Sequence, residues 1–134
     1  MKAKQLLLIL VAFLFVTFTG CKKYEDGPTI SVQLKSWRVE NTWKEDEYII
    51  IATGVSVPVN NDVTYEFKGG GDYIEHWGSS VSLNGSWEFG DKKETIKTTI
   101  SGFTDESKIL RLKSSELWVE DMNGIIETHY VSAD

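Results

Sequence analysis

The chain has 134 residues, a formal net charge of −6, and five Trp, five Tyr and six Phe against a single Cys. That length fits one domain. The acidic balance argues against nucleic acid as a partner, because phosphate would repel it and no counterion release would favour binding; the lone cysteine excludes an intramolecular disulfide.

The first twenty residues predict an address. Lys2 and Lys4 form a short positive segment, Leu6 to Val16 is an unbroken apolar run, and Thr17, Phe18, Thr19 and Gly20 lead to Cys21. This is the layout of a secretory signal peptide. The apolar run falls short of the roughly 20 residues that span a bilayer as a helix. Phe18-Thr19-Gly20-Cys21 resembles the bacterial lipobox, whose cysteine takes a diacylglyceryl group and becomes the new N-terminus. Residues 1–20 are therefore expected to be a lipoprotein signal peptide, with lipidation at Cys21 and the protein held at the outer membrane. Whether it faces the periplasm or the cell surface is left open by the sequence. Beyond Gly20, twelve basic and twenty acidic side chains leave −8, so membrane attachment would rest on the lipid and not on a basic patch. Residues 21–33 read as the anchored linker, where charge, Gly27 and Pro28 oppose regular structure.

From Leu34 to the end, residues 34–134, apolar side chains recur at period two, the mark of half-buried strands. Trp37 and Val39 alternate with Arg38 and Glu40, and a single helical turn is allowed near residues 30–35. Tyr48 to Ala52 is a short apolar run. Val55 and Val57 follow, and Pro58 marks an edge or an end. Val63, Tyr65 and Phe67 alternate with polar residues; the Gly69-Gly70-Gly71-Asp72 turn leads to Tyr73, Glu75 and Trp77 on one face. Trp87 and Phe89 flank Glu88. After the Gly90-to-Lys93 turn, Ile96, Thr98 and Ile100 line a face. Leu110 and Leu112 point together, Ser114-Ser115 turns, and Leu117 and Val119 continue. Met122-Asn123-Gly124 is a hairpin signal, and Ile126, Thr128 and Tyr130 close the chain. Eight or nine strands joined mostly by short turns predict an all-β antiparallel meander. Closing it into an up-and-down barrel removes its edges; a two-layer sandwich would need longer crossings than most of these turns provide.

Several of these segments together resemble the small lipocalin-like lipoproteins of the Bacteroidota. Lys35-Ser36-Trp37-Arg38-Val39 looks like the first-strand tryptophan segment of such domains. Tyr65-Glu66-Phe67 with Gly71-Asp72-Tyr73, Gly85-Ser86-Trp87-Glu88-Phe89, and Ile109-to-Leu112 with Ser114-to-Leu117 are similar to their later hairpins. The resemblance spans residues 34 to 131 and implies an up-and-down β-barrel with no enzymatic residues.

No chemistry-bearing constellation emerges. His76 and His129 are too few for a metal site. No nucleophile elbow or phosphate loop is present, and Glu75, Glu88 and Asp91 stand out only as acids among many. An enzyme is not expected, and no cofactor. The candidate ligand-binding residues are the aromatics read as inward: Trp37, Tyr65, Phe67, Tyr73, Trp77, Trp87, Phe89 and Tyr130. Trp43 and Trp118 do not fit that inward register. Two functions follow as expectations. One is a barrel holding a small apolar ligand. The other is a filled-core module docking to an envelope protein or glycan.

Overall fold

The computed structural model describes residues 34–134; the expected signal peptide, Cys21 and the linker lie outside them. A one-turn helix, α1 (Lys35–Val39), is followed by nine strands: β1 (Asn41–Ile50), β2 (Val55–Pro58), β3 (Val63–Phe67), β4 (Asp72–Trp77), β5 (Val81–Phe89), β6 (Thr95–Ile100), β7 (Phe103–Leu112), β8 (Glu116–Asp121) and β9 (Ile126–Ser132). Every pairing is antiparallel. Strands β3 to β9 pair in sequence order, and β1 joins both β3 and β9. Eight strands thus close into a barrel, as the even spacing of short strands and turns predicts. Strand β2 stays outside the ring, bonded to β1 alone. Ending at Pro58, it is the edge strand that a missing N–H permits.

Closure is made by β1 and β9, whose register runs from Trp43 opposite Ser132 to Ile50 opposite Ile126 with a bulge between Glu45 and Glu47. A second bulge between Ile109 and Arg111 in β7 lets Ile109, opposite Val119, and Leu112, opposite Leu117, share the inward face. The simple pairing of Leu110 with Leu112 is thereby corrected. Bulges bend a strand and raise its twist, and a small barrel needs both.

Gly85 is dictated by packing. A Cβ there would run into the Thr99 carbonyl oxygen and the Ile100 side chain, so β5 and β6 approach this closely only with glycine. Gly70 (φ 91°) and Gly71 (φ 98°) make the β3–β4 turn.

The two ends of the barrel differ. At one, α1 acts as a plug. Val39 is fully buried, Arg38 Nη1 donates to the Leu112 carbonyl oxygen at 2.8 Å, and Trp43 Nε1 donates to the Val39 carbonyl oxygen at 2.9 Å. The core sits against this plug: Val39, Trp43, Phe67, Tyr73, Trp87, Ile96, Ile109, Leu112, Leu117 and Val119. Residues 35–39, expected as a first strand, are thus a helical turn that covers the barrel end with Val39. At the other end, four connections surround the barrel mouth, which no helix among the described residues covers. No helix among the described residues is long and apolar enough to cross a membrane.

Candidate functional site

Above the core the barrel is hollow. A cavity of about 180 Å³ is lined by Tyr65 and Phe67 of β3, Tyr73 and Glu75 of β4, Ile96 and Thr98 of β6, Asp105 and Ser107 of β7, Leu117 and Val119 of β8, and Tyr130 of β9. Six strands contribute to its wall. Register explains the gathering: Tyr65 is opposite Glu75, Phe67 opposite Tyr73, Thr98 opposite Asp105, Ile96 opposite Ser107, and Leu117 opposite Tyr130. Residues directly opposite share a face of the sheet, so these pairs all point inward. An eight-stranded barrel is just wide enough to be filled by its own side chains or to hold one small ligand, and here the filled and hollow halves are stacked.

The floor is aromatic. Phe67 meets Tyr73 edge-on with centroids 4.9 Å apart and Trp87 at 5.7 Å, while Trp87 meets Phe89 at 5.4 Å. Trp87 Nε1 donates to the Lys68 carbonyl oxygen at 2.9 Å. Tyr65 and Tyr130 meet edge to face at 5.6 Å.

The polar layer is acidic. Tyr65 Oη donates to Glu45 Oε1 at 3.1 Å, and Tyr130 Oη donates to the same oxygen at 3.4 Å. Tyr73 Oη donates to Glu75 Oε1 at 3.0 Å, and Trp77 Nε1 donates to Glu75 Oε2 at 3.2 Å. Burial pushes all three phenols above the usual tyrosine range. The neighbouring negative charge, Glu45 for Tyr65 and Tyr130 and Glu75 for Tyr73, adds to the effect. The phenols therefore stay protonated and serve as donors to the carboxylates.

Beyond Glu75 the inward positions continue to the mouth. Trp77 pairs with Val81 and Glu75 with Leu83, and Phe103 pairs with Ile100. Trp77 is 49% exposed and Phe103 83%, with Val81 and Leu83 also exposed. These positions face the lumen by register yet lack cover, which gives the open end an apolar collar.

The expected site residues divide. Tyr65, Phe67, Tyr73 and Tyr130 line the cavity. Trp87 and Phe89 lie inward and pack beneath it. Trp77 stands at the mouth. Trp37 does not belong: it is 61% exposed on α1, because the segment is helical and turns Val39 and Arg38 inward instead. Trp43 is the opposite correction, being fully buried in the core. The inward face of β1 runs from Trp43 to Glu45, and a carboxylate at an inward position breaks the alternation by which the strand would be read. Trp118 is outside the core cluster, as expected. It stacks on His129 with centroids 4.0 Å apart, and Arg111 Cζ lies 4.4 Å from its ring centre. His129 is held between Glu47 and Glu127 at 2.9 and 2.6 Å. His76 lies 3.0 Å from Glu66 and 3.1 Å from Ser82 Oγ. Among the described residues, no group of three or more His, Cys, Asp or Glu is placed to hold a metal ion. Sequence reasoning missed Glu45, Asp105 and Ser107, polar residues whose inward position only the register reveals, while Thr98 was read on the face of Ile96 and Ile100 but not as part of a site.

No protein-family model and no curated protein matches the sequence. Among solved structures, a lipocalin-like protein from Bacteroides uniformis is similar, with a TM-score of 0.58 at 17% identity over 71% of this chain and 98% of that one. An uncharacterized protein from Bacteroides eggerthii matches with a TM-score of 0.57 at 14% identity, over 69% of this chain and 97% of its own. At these identities the likeness shows the fold: residues from Leu34 onward build a lipocalin-like barrel.

Proposed function

We propose that the protein is a lipid-anchored envelope module that holds a small, largely apolar ligand in its barrel, without catalysis. The observation that carries this reading is the cavity of about 180 Å³ bounded by six strands and continued by uncovered apolar residues at the mouth. An apolar cavity of about 150 Å³ already admits benzene, so the space suits one ring-sized group with the remainder of a ligand toward the collar. The signal layout before Cys21 supports attachment through lipid, and the described chain enters the barrel at the plugged end, leaving the mouth at the other.

Native mass spectrometry of protein purified from its own host tests the reading. One retained small molecule per chain is expected. It should be lost in Thr98→Phe, which places a ring in the cavity from a half-buried position. Protein that carries no ligand and takes up no apolar probe would favour the docking module instead. For the anchor, an acyl mass on Cys21 is expected, and Cys21→Ala should leave the detergent phase; a variant that stays there would contradict lipidation.

A further inference from the structure

Charge compensation differs between the two faces of the barrel wall. On the outer face five carboxylates have cationic neighbours, while Glu88 and Glu120 form no ion pair among the described residues. Glu66 meets Lys68 and His76, Glu106 meets Lys97, Glu116 meets Arg111 and Lys113, and Glu47 and Glu127 meet His129. On the inner face, Glu75 and Asp105 line the cavity, and Glu45 backs it through the Tyr65 and Tyr130 phenols. None of these three forms an ion pair among the described residues, and the cavity wall holds no Lys, Arg or His. A small aromatic cavity thus carries negative charge with no positive partner among the described residues.

We propose that the ligand supplies that partner: the barrel binds an organic amine, with its ammonium group at the Glu75–Asp105–Glu45 layer and its apolar body against the aromatic wall. This rests on the ligand-binding reading above and adds the sign of the ligand's charge. Three features fit an ammonium group better than a neutral or anionic one. The carboxylates are strong acceptors for its N–H donors. The rings of Tyr65, Phe67, Tyr73 and Tyr130 stand in the cavity wall, and a ring face attracts a cation. Among the described residues the acids are not gathered closely enough to hold a metal ion, so a cation carried on an organic body suits them better. Trp77, bonded to Glu75 at the mouth, completes the wall on the side where the ligand enters. The raised phenol pKa values agree with this field, since Glu45, Glu75 and Asp105 all contribute to it.

The test uses three probes with one apolar body and different charge: 2-phenylethylamine, 2-phenylethanol and phenylacetate, titrated calorimetrically into the folded protein at neutral pH and low salt. The amine should bind at least tenfold more tightly than the alcohol, and phenylacetate should not bind. In Glu75→Gln the amide oxygen can still accept from Trp77 Nε1 while the amide NH2 donates to the Tyr73 hydroxyl, so the fold should persist by circular dichroism while the preference for amine over alcohol falls about tenfold. Asp105→Asn, at an exposed position on the rim of the cavity, provides a second variant with the same expectation. Equal binding of amine and alcohol, or a preference unchanged in both variants, overturns the charge inference and leaves the ligand-binding reading standing. Failure of all three probes to bind counts against both.

Discussion

Replacing Trp43 by Ala removes the largest fully buried side chain of the barrel. Deleting a buried tryptophan typically costs about 3 to 5 kcal/mol. Here the change also removes the Nε1 donor from the Val39 carbonyl oxygen. Leaving a buried acceptor unmet adds about 1 kcal/mol or more. The sum, about 4 to 6 kcal/mol, approaches the whole stability of an ordinary domain, about 5 to 15 kcal/mol. Trp43→Phe keeps most of the volume and should lose about 1 to 2 kcal/mol, mainly the hydrogen bond that ties the plug to the barrel. Trp118→Ala removes only a stack on His129 and a contact with Arg111, worth about 1 to 2 kcal/mol together. Urea unfolding followed by far-ultraviolet circular dichroism measures all three variants. The order Trp43→Ala, then Trp43→Phe and Trp118→Ala close together, is expected. If Trp43→Ala costs no more than Trp118→Ala, the inward face assigned to β1 is wrong, and the position of Glu45 at the cavity falls with it.

Gly85→Ala should destabilise the barrel by about 1 to 3 kcal/mol through overpacking against Thr99 and Ile100, whereas Ser86→Ala on the exposed face should stay within about 0.5 kcal/mol in the same urea melts; equal costs would deny the close β5–β6 approach. In alkaline titration, the phenols of Tyr65, Tyr73 and Tyr130 should stay protonated above pH of about 10. Their folded pKa values lie above the unfolded one, so this contribution to stability is complete below the unfolded pKa and is lost as pH rises toward the folded values. Phenolate absorbance of the native protein should therefore lag well behind that of denatured protein, and coincident curves would contradict the burial. On the acid side, Glu47, Glu66, Glu116 and Asp121 lie below the usual carboxylate range. The causes are the Ser56 hydroxyl and His129 for Glu47, His76 for Glu66, Lys113 and then Arg111 for Glu116, and the Ile126 and Ile125 amides for Asp121. Their stabilisation is present above the unfolded pKa and is lost as pH falls through the depressed values, so the urea midpoint should drop below pH of about 4; a flat midpoint would count against these contacts.

How much of this was legible in the sequence varies along the chain. Strands such as β3, with Val63, Tyr65 and Phe67 alternating against Thr64 and Glu66, announce both their period and their face. The Gly-rich and Asn-Gly turns announce their own positions through the positive φ they need. The segment Lys35–Val39 misleads because Trp37-Arg38-Val39-Glu40 alternates like a strand. Its apolar Val39 is nevertheless spent on plugging the barrel end, and Trp37 is left outside. Strands β5 and β7 begin earlier than the pattern indicates, at Val81 and Phe103, because their first residues form the open mouth, where burial no longer enforces apolar and polar alternation. Glu45, Asp105 and Ser107 hide for a related reason: a site that needs polar groups inside the barrel breaks the very period by which an inward face is recognised. Four of the eight aromatics expected at the site line the cavity, since aromatic residues on a readable inward face are what the period does show. Of the acidic layer, Glu75 was legible beside Tyr73 and Trp77, and Glu45 and Asp105 became visible only once cross-strand register was known.

The central claim is that a ligand enters this barrel at the Tyr–Glu layer. Its most direct measurement is a heteronuclear NMR titration of the isotope-labelled protein with 2-phenylethylamine. Saturable shifts are expected at the amides of Tyr65, Tyr73, Glu75, Thr98, Asp105 and Tyr130, with Trp118 on the outer wall and Trp37 on the plug unmoved. Shifts confined to Trp37 and Leu34, or no shift anywhere up to millimolar 2-phenylethylamine, 2-phenylethanol or phenylacetate, would contradict it.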